Sequence, residues 1–396
     1  MVICFDEREY MKFIDFFSGI GGFHSGLERA GMECVGWCEF DKFAQASYRA
    51  MYDTENLWFG SDVTKVKGKD LPKADLWAFG FPCQDISIAG KQKGIKEGTR
   101  SGLFYEIMRL IDECEENKPQ WIMCENVKNL LSIDGGGGFL TVVSEMAERG
   151  YCIEWKVYNS KDYGVPQNRE RVYIVGRYGN GSSGNLLPIK RENTTTLKQI
   201  IGGSQGERVY NTDGVSCTLS AQGGGMGAKT GLYEIDTNKV QSIGNGSRYE
   251  TDNTVWPTGL VGTLTATDYK HVPKVAIKNA TKQGYSMAEV GDGIDLAYPE
   301  SETRRERVQP QRSNTLTTSD NLGVLVNGEL IRIRKLTPKE CWRLQGFSDA
   351  QYEKAAAVNS NSQLYKQAGN AVTVNVVEEI GRHIMEITNK ENFKSK

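Results

Sequence analysis

A short apolar run that ends in a glycine cluster limits most strongly what this chain can fold into. Residues 12–17 (Lys-Phe-Ile-Asp-Phe-Phe) favour a strand, and Ser18-Gly19-Ile20-Gly21-Gly22 follows directly. A helical stretch then continues through Leu27 to Gly31. A strand, a glycine turn and a helix in this order are typical of the first unit of an open α/β sheet, in which the turn lets a ligand approach bare backbone at the helix N-terminus.

The same alternation continues to about residue 176. Further strands are predicted at 33–39, 75–79, 121–125, 153–159 and 171–176, and helices at 103–115 and 139–149. Strands separated by helices predict a doubly wound, mostly parallel sheet.

The composition changes near Leu187-Pro188. From there to about residue 326 the chain is rich in Gly, Ser, Thr and Asn, which predicts a second domain of short strands and loops. A Thr-Leu-Ser/Thr phrase recurs at 218, 263 and 315 and is open to two interpretations, similar hairpin strands or repeated DNA-reading elements. A helix start is predicted at Thr337-Pro338, and a further helix from Val374 to about Ile387.

Composition excludes several classes of function. Among 396 residues no apolar run is long enough to cross a bilayer, and the nine cysteines lack paired spacings, so we expect a cytoplasmic protein without disulfides. The three histidines form no triad or metal motif, which leaves carboxylates, arginines or a thiol for catalysis. The net charge of −2 allows DNA binding only through a local basic face.

Two acidic residues strengthen the glycine turn as a ligand site. Glu39 stands at the end of the second predicted strand, where a carboxylate can bind ribose hydroxyls, and Asp62 is placed similarly beside the third. The alternative is a tight turn with two surface acids. Together the three features indicate an adenosine-containing cofactor without specifying which.

Reactive groups follow the next strands. Gly80-Phe81-Pro82-Cys83-Gln84 comes after an apolar strand, Glu125-Asn126-Val127 ends the following one, and Gln167-Asn168-Arg169-Glu170-Arg171 opens a later one. Alternation along a strand puts Arg169 and Arg171 on one face. Each group could separately be a core or surface residue, but together they predict a thiol, a carboxylate and two guanidiniums in one cleft.

This ordered set resembles the motif series of the DNA cytosine-5 methyltransferases, including their bacterial HhaI-like branch. The series continues with 334–347 and with Gln367-Ala368-Gly369-Asn370-Ala371-Val372, so the resemblance covers nearly the whole chain. It implies a Rossmann-like S-adenosylmethionine-dependent domain, formed by 1–188 and 364–396. It also implies a smaller, mainly β and loop target-recognition domain with its hinge, formed by 189–363.

The resemblance also assigns roles to particular residues. Cys83 attacks carbon 6 of a cytosine flipped out of duplex DNA, and Glu125 acts at ring N3. Arg171 with Arg169 binds the base carbonyl and nearby backbone. The residues implied for S-adenosylmethionine are Phe16, Gly19, Gly21, Glu39, Asp62 and Asn370. The residues implied for DNA recognition are Ser87, Gln205, Arg208, Ser220 and Gln222.

The expected partners are double-stranded DNA and, in a restriction–modification system, a cognate endonuclease. The alternative is an orphan or phage enzyme. No metal and no membrane is expected, and a monomer is the default for the family. Asn168 stands where a basic residue is usual, and Gln222 stands where the HhaI-like pattern has tyrosine, so the recognition sequence stays open.

Three rival functions stay open at this point. A tRNA cytosine-5 methyltransferase uses similar motifs. A comparison of methyl transfer to duplex DNA and to tRNA would distinguish the two enzymes. A dinucleotide oxidoreductase shares the glycine turn but has no need of Pro-Cys-Gln. A binding-only repressor would carry a damaged catalytic motif, and none is visible.

Overall fold

The computed structural model describes residues 10–81, 102–179, 186–188 and 329–394, together with the short stretches 199–201, 209–210, 232–235, 254–255, 274–278, 285–288, 292–295, 308–310 and 322–326. The chain divides into two compact units, Met1–Asn193 with Lys339–Lys396, and Thr194–Pro338.

The first unit is built on a seven-stranded sheet. Its strands in chain order are β1 Lys12–Phe16, β2 Glu33–Cys38, β3 Trp58–Gly60, β4 Leu76–Phe79, β5 Trp121–Val127, β6 Tyr151–Asn159 and β7 Glu170–Tyr178. The order across the sheet is β3-β2-β1-β4-β5-β7-β6. Neighbours from β3 to β5 are parallel, whereas β7 runs antiparallel to both β5 and β6.

Helices cover both faces of this sheet. The helices of the first unit are α1 Gly22–Arg29, α2 Lys42–Met51, α3 Gly102–Glu113, α4 Gly137–Glu148, α5 Pro338–Leu344, α6 Asp349–Ala356, α7 Asn361–Asn370 and α8 Val374–Lys394. Apolar side chains of α3 and α4 pack in one core cluster, and those of α1 and α8 pack in the other. The predicted α/β, Rossmann-like fold is confirmed, and because the strand order reverses beside β1, the carboxyl ends of β1 and β4 form the expected ligand crevice.

The described elements of the second unit are strands. They are β8 Gln199–Ile201, β9 Val209–Tyr210, β10 Leu232–Ile235, β11 Thr254–Val255, β12 Lys274–Lys278, β13 Tyr285–Ala288, β14 Gly293–Asp295, β15 Val308–Gln309, β16 Leu322–Val326 and β17 Glu329–Lys335. They form one seven-stranded sheet, β15-β14-β16-β17-β10-β9-β8, and one three-stranded sheet, β11-β12-β13. The Thr-Leu phrases lie outside the described residues.

The boundary predicted at 363/364 differs from the structural one at 338/339. Residues 339–363 pack in the first unit, because Nε1 of Trp342 donates to the Leu364 carbonyl at 3.0 Å and Nε2 of Gln351 donates to Oγ of Ser25 at 2.8 Å. The N-terminal segment of the first unit ends at Asn193, whereas the predicted segment ends at residue 188.

Candidate active site and cofactor cradle

The carboxyl ends of β4 and β5 bring the start of the Pro-Cys-Gln segment beside a carboxylate. The two strands are parallel neighbours, with Phe79 opposite Cys124. A methyl group placed on Gly80 would lie 3.4 Å from Oε2 of Glu125. Gly80 thus lies beside Glu125, while Cys83 itself lies outside the described residues, so the convergence of the thiol with this carboxylate stays a prediction.

Three other thiols among the described residues, Cys38, Cys124 and Cys152, are poorly suited to attack. Burial raises the pKa of Cys38 to about 12, with the charge of Glu39 adding to the effect. Burial likewise raises the pKa of Cys124 well above its usual value. Cys152 is exposed, but it lies at the opposite end of edge strand β6 from Asn159, which leads into the arginine motif. A nucleophile needs a thiolate, which burial disfavours at Cys38 and Cys124, and Cys152 is separated from Glu125 by its position.

Glu125 forms an ion pair with Arg171 at the head of this cleft. Nε of Arg171 lies 3.1 Å from Oε1 of Glu125, and both side chains are largely buried. Burial raises the pKa of Glu125, although the charges of Arg171 and Arg169 act to lower it. The carboxyl group can therefore keep a proton at a higher pH than a free glutamate, which suits a group that donates to a ring nitrogen.

Asn126 ties this carboxylate strand to the Pro-Cys-Gln segment, a contact that the sequence did not reveal. Its buried side chain donates from Nδ2 to the Phe81 carbonyl at 2.9 Å, and its Oδ1 accepts the Val127 N–H at 2.9 Å. The signal in the sequence was its place directly after Glu125. Asn126 thus holds the backbone two residues before Cys83.

The two arginines of the predicted pair contact different parts of the molecule. Arg171 contacts Glu125, whereas Nη2 of Arg169 donates to the carbonyls of Gly369 at 3.1 Å and Ala371 at 3.0 Å. Arg169 precedes β7 and is 3% exposed. The predicted contacts of both guanidiniums with the base stay a prediction, and Arg169 is directed to the backbone of the motif around Asn370.

The glycine turn is fastened to Glu39. The N–H of Gly19 donates to Oε2 of Glu39 at 2.7 Å, and the N–H of Asp41 donates to Oε1 at 2.7 Å. Burial raises the pKa of Glu39 despite these hydrogen bonds. Gly19 has φ +55°, and a methyl group there would stand in open space, so the turn presents bare backbone on an open side.

Phe16, the aromatic residue predicted to contact the cofactor, lies in the core, and the next residue is a partly exposed phenylalanine. Phe16 is fully buried and packs on Trp77 at 5.1 Å between ring centroids, so it belongs to the core. Phe17 follows at the strand end with φ +53° and is partly exposed. Phe40 was missed as well, although its ring is 79% exposed directly after Glu39. An exposed ring beside an acidic strand end was the signal in the sequence.

Asp62 and Asn370 are the two other side chains predicted to bind the cofactor. Asp62 caps the 3₁₀ turn Val63–Lys65, and the Thr64 hydroxyl, which donates to Oδ1 at 2.7 Å, lowers its pKa. Asn370 ends α7 and is exposed. Gly21 has φ +81° and accepts a hydrogen bond from the Tyr52 hydroxyl at 2.9 Å.

The five residues predicted to read DNA lie outside the described residues. They are Ser87, Gln205, Arg208, Ser220 and Gln222. Within the described part of the chain there is no cluster of three or more metal-binding side chains, and no helix has both the length and the apolar character to span a membrane.

Comparison with known proteins decides the family. The family model for C-5 cytosine-specific DNA methylases matches residues 11–386, which is most of the chain. The chain belongs to this family. The methyltransferase is 33% identical to the orphan methyltransferase M.Rho11sI of Bacillus phage rho11s, over 95% of this chain and 98% of the relative. It is 38% identical to the type II methyltransferase M.HhaI of Haemophilus parahaemolyticus, over 57% of this chain and 79% of the relative.

Solved structures agree on the fold of this methyltransferase. The S. pombe Dnmt2 methyltransferase matches with a TM-score of 0.55 at 14% identity, and covers 96% of this chain and 99% of its own. The Entamoeba histolytica methyltransferase EhMeth matches with a TM-score of 0.56 at 16% identity and the same coverage of both chains.

Proposed function

We propose that this DNA cytosine-5 methyltransferase moves a methyl group from S-adenosylmethionine to carbon 5 of a cytosine in duplex DNA, through a covalent adduct of Cys83. The observation that carries the proposal is the buried Glu125–Arg171 pair beside Gly80, three residues before Cys83. An acid with a raised pKa, a guanidinium and a thiol at the same sheet end are what addition to a pyrimidine ring requires.

The reaction needs an activated ring, because carbon 5 of cytosine is a weak nucleophile. The Cys83 thiolate supplies the electron pair of a new bond to carbon 6 while Glu125 donates a proton to N3. The C5–C6 double bond breaks, and its π electrons become available at carbon 5 as an enamine. Arg171 binds the base carbonyl and holds Glu125 in place. After carbon 5 has taken the methyl group, its proton passes to water and the Cys83 thiolate leaves carbon 6. N3 returns its proton to Glu125, and aromaticity returns.

The cradle around the glycine turn fits an adenosine-containing cofactor. Each carboxylate oxygen of Glu39 accepts one backbone N–H and has a further lone pair for a ribose hydroxyl. The exposed Phe40 ring and the partly exposed Phe17 ring supply apolar surface for a purine. Asn370 and Asp62 complete the residues that would hold the group. When bound, S-adenosylmethionine supplies a methyl group on a positively charged sulfur.

The target base must leave the helix, because carbon 6 is covered in a stacked duplex. We assign base contacts to Ser87, Gln205, Arg208, Ser220 and Gln222, following the family motifs. The names of the phage relatives include the word orphan, so an endonuclease partner is not required by the family. We further propose that the enzyme acts as a monomer in the cytoplasm.

Bisulfite sequencing of DNA from cells that express the protein tests the proposal. We expect protected cytosines within one defined sequence, which also reveals the recognition site. Purified protein is assayed in parallel with duplex DNA and with tRNA. Unprotected DNA together with methylated tRNA would replace DNA by tRNA as the substrate, and no transfer to either would reject the proposal.

A further inference from the structure

Arg169 is a buried cation that holds the turn around Asn370. Its Nη2 donates to the carbonyls on both sides of that residue, Gly369 and Ala371, at the end of α7. The last carbonyls of a helix have no partners within the helix and carry its negative dipole end, so a cation there is favourable. The backbone N–H of Arg169 donates to Oδ1 of Asn159 at 3.1 Å, which fixes the segment before β7.

The same guanidinium acts on the catalytic acid. Its positive charge acts to lower the pKa of Glu125, which burial raises. Burial and the charge of Arg171 lower the pKa of Arg169 itself to about 9, so the side chain still carries its charge near neutral pH. Among the described residues, Tyr173 on β7 interacts with all three charged groups, and Cys124 on β5 interacts with Glu125.

We infer that Arg169 is a positioning residue that fastens the Asn370 turn to the catalytic end of β7 and so links cofactor binding to the surroundings of Glu125. The inference rests on the proposed function, since the turn matters through S-adenosylmethionine. It adds to the role implied by the family resemblance, in which Arg171 with Arg169 grips the base carbonyl and nearby backbone. One side chain then serves both the cofactor side and the base side of the site.

Three variants test this link. R169M removes the charge and the donors, and R169K keeps the charge but loses the planar fork that spans two carbonyls. R177M is the matched control, because Arg177 joins the other end of β7 to Glu391 of α8 by an ion pair. The dissociation constant for S-adenosylmethionine is measured without DNA, and kcat for methyl transfer is measured as a function of pH.

We expect R169M and R169K each to raise the dissociation constant for S-adenosylmethionine by about tenfold or more, which corresponds to the loss of about 1.4 kcal/mol. In R169M, the fall of kcat at alkaline pH that follows deprotonation of Glu125 should also move to higher pH. The reason is that one positive charge no longer opposes the rise in the pKa of Glu125. R169K should leave the pH of that fall unchanged. R177M should lower the melting temperature and change neither quantity.

Binding of S-adenosylmethionine by the wild-type protein distinguishes a failure of the proposed function from a failure of the inference about Arg169. Wild-type protein that does not bind S-adenosylmethionine rejects the proposed function, whereas wild-type binding with unchanged affinity in folded R169M or R169K overturns the role of Arg169. Hydrogen exchange of the wild-type protein decides the matter when neither variant folds. Added S-adenosylmethionine should then protect both 369–372 and 160–169, and protection of 369–372 alone overturns the inference.

Discussion

At the residue scale, the proposed chemistry depends on a carboxyl group that can donate a proton to the base. Glu125 is buried beside Arg171, and burial raises its pKa. Glu125→Gln keeps the shape but cannot transfer a proton, so we expect kcat to fall roughly 100- to 10,000-fold while S-adenosylmethionine still binds. Methyl transfer to duplex DNA under single-turnover conditions measures the change. A variant within twofold of wild type would remove Glu125 from the mechanism.

The same substitution has a pH signature in stability. Because the folded pKa of Glu125 is raised, its contribution is fully present below the unfolded value of about 4.3 and is lost as pH rises through the folded value. The free energy of unfolding of wild type minus that of Glu125→Gln should therefore decrease as pH rises above about 4.3. Urea titrations at several pH values measure this difference. A difference that grows with pH would mean that Glu125 is stabilised as the anion.

Asn126 is predicted to matter through the backbone it holds. Loss of its hydrogen bond leaves the Phe81 carbonyl without that donor, so Asn126→Ala should lower the free energy of unfolding by about 1–3 kcal/mol and also slow methyl transfer. The exposed Asn129 is the control, and Asn129→Ala should change stability by less than about 0.5 kcal/mol. Normal transfer by Asn126→Ala would show that the segment before Cys83 is held by other contacts.

Residues whose chemistry follows from their type could be predicted from the sequence. Residues whose role depends on how they pack could not. Glu125 and Arg171 were predicted together and form an ion pair. Phe16 and Phe17 are identical in type and adjacent, and only the register of β1 decides that Phe16 enters the core. The partners of Arg169, some 200 residues away along the chain, could not be read from local spacing.

At the element scale, the start of α1 is packed closely against the turn that follows α7, so its first residue has no room for a side chain. A methyl group on Gly22 would lie 2.5 Å from the Val372 carbonyl oxygen. Gly22→Ala should therefore lower the free energy of unfolding by about 1–3 kcal/mol. The control is Gly102→Ala, where a methyl group meets nothing within 4 Å and which should be neutral or stabilising by up to about 1 kcal/mol. Equal stabilities measured by urea denaturation would contradict this close approach.

Most elements were predictable, whereas their arrangement was not. Strands β2, β4, β5, β6 and β7 lie within two residues of their predicted starts, because apolar runs bounded by turns are local signals. The insertion of β7 between β5 and β6 was not predicted. It follows from the short connection 160–169, which allows an antiparallel return but is too short for a parallel crossover.

At the scale of the whole molecule, the cofactor residues all belong to the first unit. Added S-adenosylmethionine should slow hydrogen exchange in peptides from 12–62 and 361–377, and leave those from 274–288 unchanged in the absence of DNA. Protection of 274–288 without protection of 12–62 would place the cofactor elsewhere.

The domain boundary could not be predicted from composition alone. Residues 339–363 pack with the first unit through contacts such as that of Trp342 with Leu364, which join positions distant in sequence.

The most direct test of the account is covalent trapping on duplex DNA in which 5-fluorocytosine replaces cytosine, with S-adenosylmethionine present. Fluorine at carbon 5 cannot leave as a proton, so the bond between the thiol and carbon 6 persists on a denaturing gel. We expect trapping by the wild-type protein and by Cys152→Ala, in which only an exposed cysteine is lost, and none by Cys83→Ala. Equal trapping by Cys83→Ala would contradict Cys83 as the attacking group.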